Sequence, residues 1–160
     1  MAFHVDGAGD WVADLACLHG MHVRHRPPFE QRPWVLTDEG RRSRLGAEVD
    51  CVLCDRFELP SGLHVVRTAG PFDETTMPQG LRRRHRIADG RWGVLRVLAG
   101  SLELTLDMEP RVSARLGRGD THALPPGVSH AVTVAAPVSF AVDFLMRGPA
   151  STAVTTAPRG

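Results

Sequence analysis

Apolar and polar side chains alternate along short stretches of this chain, with the period of two that is typical of β-strands. Between positions 11 and 17, the apolar side chains of Trp11, Ala13, Leu15 and Cys17 recur at every second residue. The turn-forming segment Asp6–Asp10 precedes them and follows a short apolar run. The pattern therefore predicts a β-hairpin near the start of the chain.

The second half of the chain shows the same period in short runs that glycine and proline separate. Regular spacing of short strands, without helical segments between them, favours an antiparallel barrel or double sheet over βαβ units. The predicted strands are Leu63–Arg67, Trp92–Leu98, Leu102–Leu106, Val112–Leu116, Ala131–Val134 and Val138–Leu145.

Two other segments of the first half have recognisable boundaries. Thr37 is a suitable N-cap for a short helix that Gly46 closes, because acidic residues follow Thr37 in the first turn. The segment Val49–Cys54 has a strand-like pattern. Glu58–Gly62 is a short joint, and the Ala-, Thr-, Pro- and Ser-rich end of the chain predicts a disordered tail. We therefore expect domains at residues 1–58 and 59–147, and a tail at 148–160.

Charge and composition narrow the function classes. The net charge is +1, which makes the whole protein a poor electrostatic partner for nucleic acid or an acidic membrane. The first residues lack a basic segment followed by an apolar run, and no apolar segment approaches membrane-spanning length. We therefore expect a cytoplasmic protein without a membrane partner, whose three cysteines stay reduced.

The cysteines fall into two tight clusters that predict a metal site. Cys17 and His19 form one cluster, and Cys51 and Cys54 form the other. Two such knuckles supply the Cys3His ligand set of a structural zinc ion, which a small subdomain needs for stability. His22 could replace His19 as the fourth ligand, and His25 is a weaker candidate. A redox pair of Cys51 and Cys54 is the alternative, but it would leave Cys17 unused.

The segment Gly119–His130 contains the spacing G-x5-P-x-G-x-x-H, which is the second signature of the cupin barrels. Upstream, P-x6-H-x4-G-x-W-x5-L-x-G runs from Pro78 to Gly100. Together these motifs resemble the cupin family of tellurite-resistance type, the TehB/YeaR-like group, over about residues 59–147. The resemblance implies a mainly β fold, a small cupin-type antiparallel β-barrel (double-stranded β-helix), and a role in tellurite resistance or stress response.

The first part of the chain has a resemblance of its own. The run from Trp11 to Thr37, with G-A-E-V-D-C-V-L-C-D-R from Gly46 to Arg56, closely resembles a small bacterial family without an assigned activity, sometimes labelled as pressure-regulated. The match covers about residues 3–58. It implies a zinc-ribbon-like subdomain in front of the cupin domain and carries no reaction with it.

The chain departs from the usual cupin ligand set. The position of the usual glutamate, seven residues before Gly100, is Gly93, and His85 is the only histidine of the first motif. Two histidines, His85 and His130, remain, and Asp143 lies where the resembling family carries an acidic residue. Two histidines and one carboxylate can bind a divalent metal and leave coordination positions open. Glu103 and His122 are expected to be exposed to solvent, and Trp92 is expected to lie in the core.

A cluster of arginines from Arg82 to Arg86 surrounds His85. Guanidinium groups favour carboxylate, phosphate or tellurite-like groups, so Arg84 and Arg86 are possible oxyanion contacts. A solvated loop is the simpler interpretation, since alternate residues must point outward.

The leading hypothesis is a metal-binding cupin protein whose open metal site binds a small molecule or an oxyanion. The barrel metal would act as Lewis acid or oxygen activator if the protein catalyses a reaction, and the sequence leaves that question open. A second hypothesis is a nucleic-acid or protein adaptor that uses Arg24, Arg26 and Arg32 on the zinc ribbon, with the barrel as a ligand sensor. A third is a structural homodimer.

Overall fold

A computed structural model describes residues 2–23 and 32–148, which form two antiparallel sheets and a few short helices. The mainly β fold class is confirmed. The strands are β1 (Ala2–Val5), β2 (Trp11–Asp14), β3 (Gly20–His22), β4 (Leu63–Phe72), β5 (Trp92–Leu106), β6 (Val112–Gly117), β7 (Thr121–Leu124) and β8 (His130–Arg147). The helices are a 3-10 turn (Pro33–Leu36), α1 (Asp38–Arg42), α2 (Val52–Asp55) and α3 (Gln79–Arg82). No helix in these two ranges is both long and apolar enough to cross a membrane.

The first sheet contains β1, β2 and β3 in sequence order. Phe3 pairs with Ala13 and Ala13 pairs with Met21, so these three side chains share one face. That face packs on a small core that includes Leu15, Val23 and Val35. The predicted apolar face of the hairpin is therefore present, although β3 was not expected as a strand and β2 ends at Asp14.

The helical segments differ in part from their prediction. Thr37 is the N-cap of α1, since its Oγ1 accepts a hydrogen bond of 3.1 Å from the Gly40 backbone N–H, but the helix ends at Arg42. The predicted strand Val49–Cys54 is wrong. The Asp55 backbone N–H donates to the Cys51 carbonyl at 3.1 Å, so the chain turns helically through Cys54.

The second sheet has the order β4, β8, β5, β6, and β7 pairs with the first half of β5. Among the described residues, β4 pairs only with β8 and β6 pairs only with β5, so the sheet is not closed into the predicted barrel. Met77 and Ile87, from the segment between β4 and β5, are buried in the same core as the strands. Side chains of this connecting segment therefore help to cover the core of a sheet that backbone hydrogen bonds of the described residues do not close into a barrel.

A bulge near Gly100 bends β5 and divides its partners into two groups. Residues before the bulge pair with β7 and the second half of β8, and residues after it pair with β6 and the first half of β8. The sequence predicted separate strands on either side of a turn in both β5 and β8. The structure has one long, bent strand in each case.

Gly100 is required at the bend for two reasons. Its φ is +70°, and a Cβ added there would lie 2.0 Å from the Pro137 carbonyl oxygen. Gly119 has a similar φ of +90°, but no atom of the described residues lies within 4 Å of a Cβ added at that position.

We expect Gly100→Ala to lower the free energy of unfolding by about 3 kcal/mol or more, because backbone strain and a backbone clash add together. Gly119→Ala, which adds only the strain of a positive φ, is the matched control and should cost about 1–2 kcal/mol. Urea denaturation followed by far-ultraviolet circular dichroism measures both variants. Equal losses would show that the contact with Pro137 does not constrain the bend.

Candidate metal centre and ligand pocket

Four side chains from two distant segments meet in the first half of the chain. One ligand atom each from Cys17, His19, Cys51 and Cys54 lies within 4.8 Å of the others, and this is the only such group among the described residues. The sulfur atoms of Cys17, Cys51 and Cys54 lie 3.5, 3.4 and 3.6 Å from His19 Nδ1. The structure thus brings together the four residues that the sequence predicted as a zinc site.

The spacing of these atoms fits tetrahedral coordination. Metal–sulfur and metal–nitrogen bonds of about 2.3 and 2.05 Å, at the tetrahedral angle, separate sulfur from nitrogen by about 3.6 Å. The three sulfur–nitrogen distances agree with that value to within about 0.2 Å. The cluster could therefore bind a metal ion such as zinc through His19 Nδ1 and three thiolates.

The thiols alone cannot all carry a negative charge. The hydrogen bond from the Cys54 thiol lowers the pKa of Cys17 to about 5, and the same contact with Cys17 raises the pKa of Cys54. One thiolate is thus stabilised at the expense of its neighbour, because like charges in one partly buried site repel. A divalent cation would remove this conflict.

Two local turns present the ligands. Leu18 has φ +69°, and its backbone N–H donates to the Leu15 carbonyl at 2.9 Å, which reverses the chain between Cys17 and His19. The helical turn α2 carries Cys54 back toward Cys51. The short spacings from Cys17 to His19 and from Cys51 to Cys54 therefore each correspond to one tight turn of the backbone.

The second sheet holds the first knuckle in place through three backbone carbonyls. The Gly90 backbone N–H donates to the Ala16 carbonyl at 3.0 Å, and Trp92 Nε1–H donates to the Cys17 carbonyl at 2.8 Å. Arg147 donates to the Leu18 carbonyl at 2.6 Å. Consecutive carbonyls from 16 to 18 are thus all bound by the part of the chain that contains β5 and β8.

Trp92 also packs on the metal-ligating face of the knuckle. It is fully buried, as expected of a core residue, and its ring lies edge to face with the His19 ring at a centroid distance of 5.5 Å. His19 Nε2 is buried and has no hydrogen-bond partner among the described residues. The orientation of His19 therefore depends on packing against Trp92 rather than on an acceptor for Nε2.

His22, the alternative fourth ligand, does not join the cluster. His22 Nε2 pairs with Asp6 at 2.9 Å on the first sheet. His25 lies outside the described residues. The structure therefore favours His19 over His22 as the histidine of this site.

The two histidines of the cupin motifs lie side by side in the second sheet. His85 and His130 exchange backbone hydrogen bonds of 2.8 Å, and their rings meet at a centroid distance of 5.5 Å. His130 is buried, and its Nδ1 lies 3.2 Å from the Val128 carbonyl. Burial lowers the pKa of His130, so its ring is neutral near neutral pH.

The prediction that Asp143 joins these histidines is wrong. Successive side chains of a strand point to opposite faces of the sheet. Val142 and Phe144 line a cavity beside the two histidines, so the side chain of Asp143, which lies between them in sequence, is on the other face of β8. There it accepts hydrogen bonds from Thr68 Oγ1 at 2.6 Å and from Arg96 Nε at 2.6 Å. The guanidinium of Arg96 lowers the pKa of Asp143. Asp143 is a buried ion-pair partner, and no metal triad forms from His85, His130 and Asp143.

The place of the usual cupin glutamate is filled by apolar atoms. A Cβ added to Gly93 would lie 2.4 Å from Ile87 Cδ1 and 3.2 Å from Leu124 Cβ. Glu103 is exposed as expected. His122 is half-buried on β7 against the Phe57 ring, rather than exposed in a turn.

A cavity of about 310 Å³ opens beside His85 and His130. Its walls are mostly apolar and come from β4, α3, β7 and β8. The lining residues are Arg67, Ala69, Phe72, Pro78, Gly80, Leu81, His85, Ile87, Leu124, His130, Val142 and Phe144. We refer to this cavity as the histidine pocket.

Arg67 is the residue of this pocket that sequence reasoning missed. Its guanidinium lies 6.0 Å from the centre of the Phe144 ring, at the exposed side of β4. In the sequence, Arg67 is a single arginine at the end of the predicted strand Leu63–Arg67. Apolar and polar residues do not alternate along this strand, so the sequence does not show which side chains face the cavity.

The two arginines predicted as oxyanion contacts lie outside the histidine pocket and already have partners. Arg84 is exposed and its Nε lies 3.1 Å from Asp107 Oδ2, while Arg86 Nε donates to Ser129 Oγ at 2.9 Å. Arg84 and His130 also line a smaller cavity of about 220 Å³ that contains Asp107. The arginines Arg24 and Arg26 of the adaptor hypothesis lie outside the described residues.

Two parts of the chain match known protein families. Residues 1–58 match the protein family of unknown function DUF3565, and residues 67–142 match the TehB-like domain. A comparison with curated protein sequences finds no significant match.

Several solved structures are similar to part of this chain. A protein from E. coli (strain K12) is 18% identical, with a TM-score of 0.51, over 57% of this chain and 98% of its own. TehB from Haemophilus influenzae is 19% identical, with a TM-score of 0.49, over 54% of this chain and 32% of its own. A cupin protein from Bacteroides fragilis is 18% identical, with a TM-score of 0.34, over 49% of this chain and 59% of its own. At 18% identity, the similarity to the E. coli protein concerns the fold alone.

Proposed function

We propose, on the premise that residues 67–142 form a TehB-like domain, that this chain is a small-molecule-binding cupin protein whose N-terminal module is fixed by zinc. The histidine pocket would bind the small molecule, and the Cys3His cluster would bind the metal. The observation that carries the proposal is the meeting of His85 and His130 in an apolar cavity of about 310 Å³.

Zinc is the metal that the cluster suits best. Three thiolates and one imidazole in tetrahedral array are typical of structural zinc sites, which use all four positions for protein ligands. Zinc bound there would supply folding energy rather than an open coordination position. The metal at this cluster is therefore assigned a structural role.

The zinc would also fix the N-terminal module to the cupin domain. The carbonyls of Ala16, Cys17 and Leu18 all accept hydrogen bonds from the cupin side, so a knuckle closed by metal presents them together. A reducing compartment such as the cytoplasm keeps the thiols available for metal, which supports cytoplasmic localisation. A role in stress response or tellurite resistance is consistent with the TehB-like domain and remains part of the proposal.

The protein purified without added metal is expected to contain about one zinc ion per chain, because the four ligands form one closed site. The Cys51→Ser/Cys54→Ser variant should lose this zinc, whereas His22→Gln should keep it. Inductively coupled plasma mass spectrometry measures the stoichiometry. Loss of zinc in His22→Gln, or full zinc in the double cysteine variant, would contradict the ligand assignment.

Trp92→Phe removes the indole N–H that binds the Cys17 carbonyl and keeps an aromatic ring against His19. We expect zinc affinity to fall by about tenfold or more, as is usual when a group that orients a metal ligand is lost. Competition with a chromophoric chelator measures the affinity. The matched control is Trp34→Phe, in the 3-10 turn Pro33–Leu36, which should leave the zinc affinity unchanged.

Gly80→Phe tests the histidine pocket. Gly80 lines the cavity, and the only neighbour of an added Cβ is His85 Nδ1 at 3.8 Å, so the backbone tolerates a side chain that fills the space. We expect compounds of about ten heavy atoms, charged and neutral, to include some that raise the melting temperature of the wild type in a saturable manner. These shifts should disappear in Gly80→Phe.

Gly7→Phe, at an exposed glycine without neighbours, should retain the shifts and is the control. A panel that stabilises neither the wild type nor this control would contradict the small-molecule function. Equal shifts in Gly80→Phe would place the binding elsewhere.

A further inference from the structure

The charges in the histidine pocket have one sign. Arg67 is the only permanently charged residue among those that line it, and the lining contains no aspartate or glutamate. The two remaining polar side chains are His85 and His130. Asp143, the nearest acidic candidate by sequence, leaves the opposite face of β8 and is paired with Arg96.

This charge pattern opposes a divalent cation. The open iron(II) site known as the facial triad combines two histidines with one carboxylate, which offsets part of the charge of the ion. Here the carboxylate position of the first motif is Gly93, and Ile87 and Leu124 occupy the space. Two imidazoles beside an arginine would leave the ion with too few ligands and an adjacent positive charge.

The same pattern suits an anion at the rim. The Arg67 guanidinium can bind a carboxylate through two parallel hydrogen bonds, and it lies above Phe144 at the open side of the cavity. His130 directs Nδ1 to the Val128 carbonyl, so that its Nε2 is the acceptor of a neutral ring. His85 places a second imidazole beside it.

The rest of the cavity requires an apolar body. Ile87, Leu124 and Val142, which are all buried, form its inner wall. A volume of about 310 Å³ corresponds to roughly ten water-sized units at about 30 Å³ each, and so to a ligand of roughly ten heavy atoms. An inorganic oxyanion is smaller and has no apolar surface, so these walls would desolvate it without compensation.

We propose that the ligand of the histidine pocket is a small organic anion, a carboxylate with a compact apolar body, whose charged group is held by Arg67 without a metal ion, while the two histidines line the cavity beside it. This inference rests on the proposed small-molecule function and specifies its ligand class. The carboxylate lies at the rim beside Arg67, and the apolar body points inward toward Ile87 and Leu124.

Isothermal titration calorimetry with matched pairs of probes tests the proposal. The probes are benzoate, phenylacetate and hexanoate, each with its neutral amide, and sulfate and tellurite as inorganic anions. We expect at least one carboxylate to bind the zinc-loaded full-length protein about tenfold or more tightly than its amide, since a charge-assisted contact is lost with the amide. The affinity for sulfate and tellurite should be lower than for that carboxylate.

Arg67→Gln should weaken carboxylate binding by about tenfold or more and leave amide binding unchanged. Arg115→Gln, an exposed arginine on β6, is the matched control and should change neither. Circular dichroism and zinc content verify that both variants are folded. Addition of Mn²⁺, Fe²⁺ or Zn²⁺ beyond the single zinc ion should not increase the affinity.

Three results would overturn the ligand class while leaving the small-molecule function in place: equal affinity for the amides, equal or tighter binding of the inorganic anions, or binding that depends on a second metal ion. Absence of binding by every probe, including the neutral ones, would overturn the small-molecule function itself and the inference with it. Equal carboxylate affinity in Arg67→Gln would remove the role of Arg67.

Discussion

The antiparallel pairing of β5 with β8 is the constraint on which both sites depend. The two strands pair from Trp92, opposite Leu145, to Leu106, opposite His130, and their register shifts at the bulge near Gly100. Trp92, the first residue of β5, therefore lies where its indole can bind the knuckle that contains Cys17. His130, the first residue of β8, lies in the histidine pocket. A shift of one residue in this pairing would exchange the two faces of both strands and dismantle both sites.

Sequence reasoning succeeded where the relevant information is local. The spacing between Cys51 and Cys54 is typical of a metal-binding knuckle in any surroundings, so the cysteine cluster could be predicted. The motif that ends at His130 contains its own turn, so the position of His130 at the start of a strand could be predicted as well. Asp143 could not be placed, because a strand buried on both faces gives no sign of which parity faces the cavity. Arg67 was missed for the related reason that its strand is exposed along most of its length and lacks alternation. Barrel closure failed because it depends on β4 and β6, which are distant in sequence.

The Cys3His cluster and the histidine pocket differ in the sign of the charge that their side chains carry. The Cys3His cluster concentrates negative charge once its thiols ionise, which suits a cation and explains why the thiols compete when they are alone. The histidine pocket has no acidic group in its lining and carries Arg67 at the rim, which suits an anion. The proposed functions would thus separate a structural metal centre from an anion-binding cavity within one chain, and the pairing of β5 with β8 connects the two.

The packing at Gly93 bears on how this domain could have diverged from cupins with a glutamate in the first motif. A glutamate at position 93 would collide with Ile87, and a smaller residue at position 87 would leave a void beside Gly93. Each change alone is unfavourable, so the two positions must vary together. An evolutionary route between a metal-binding and a metal-free pocket would therefore pass through paired replacements, and the identities at 87 and 93 in related sequences would distinguish the two lineages.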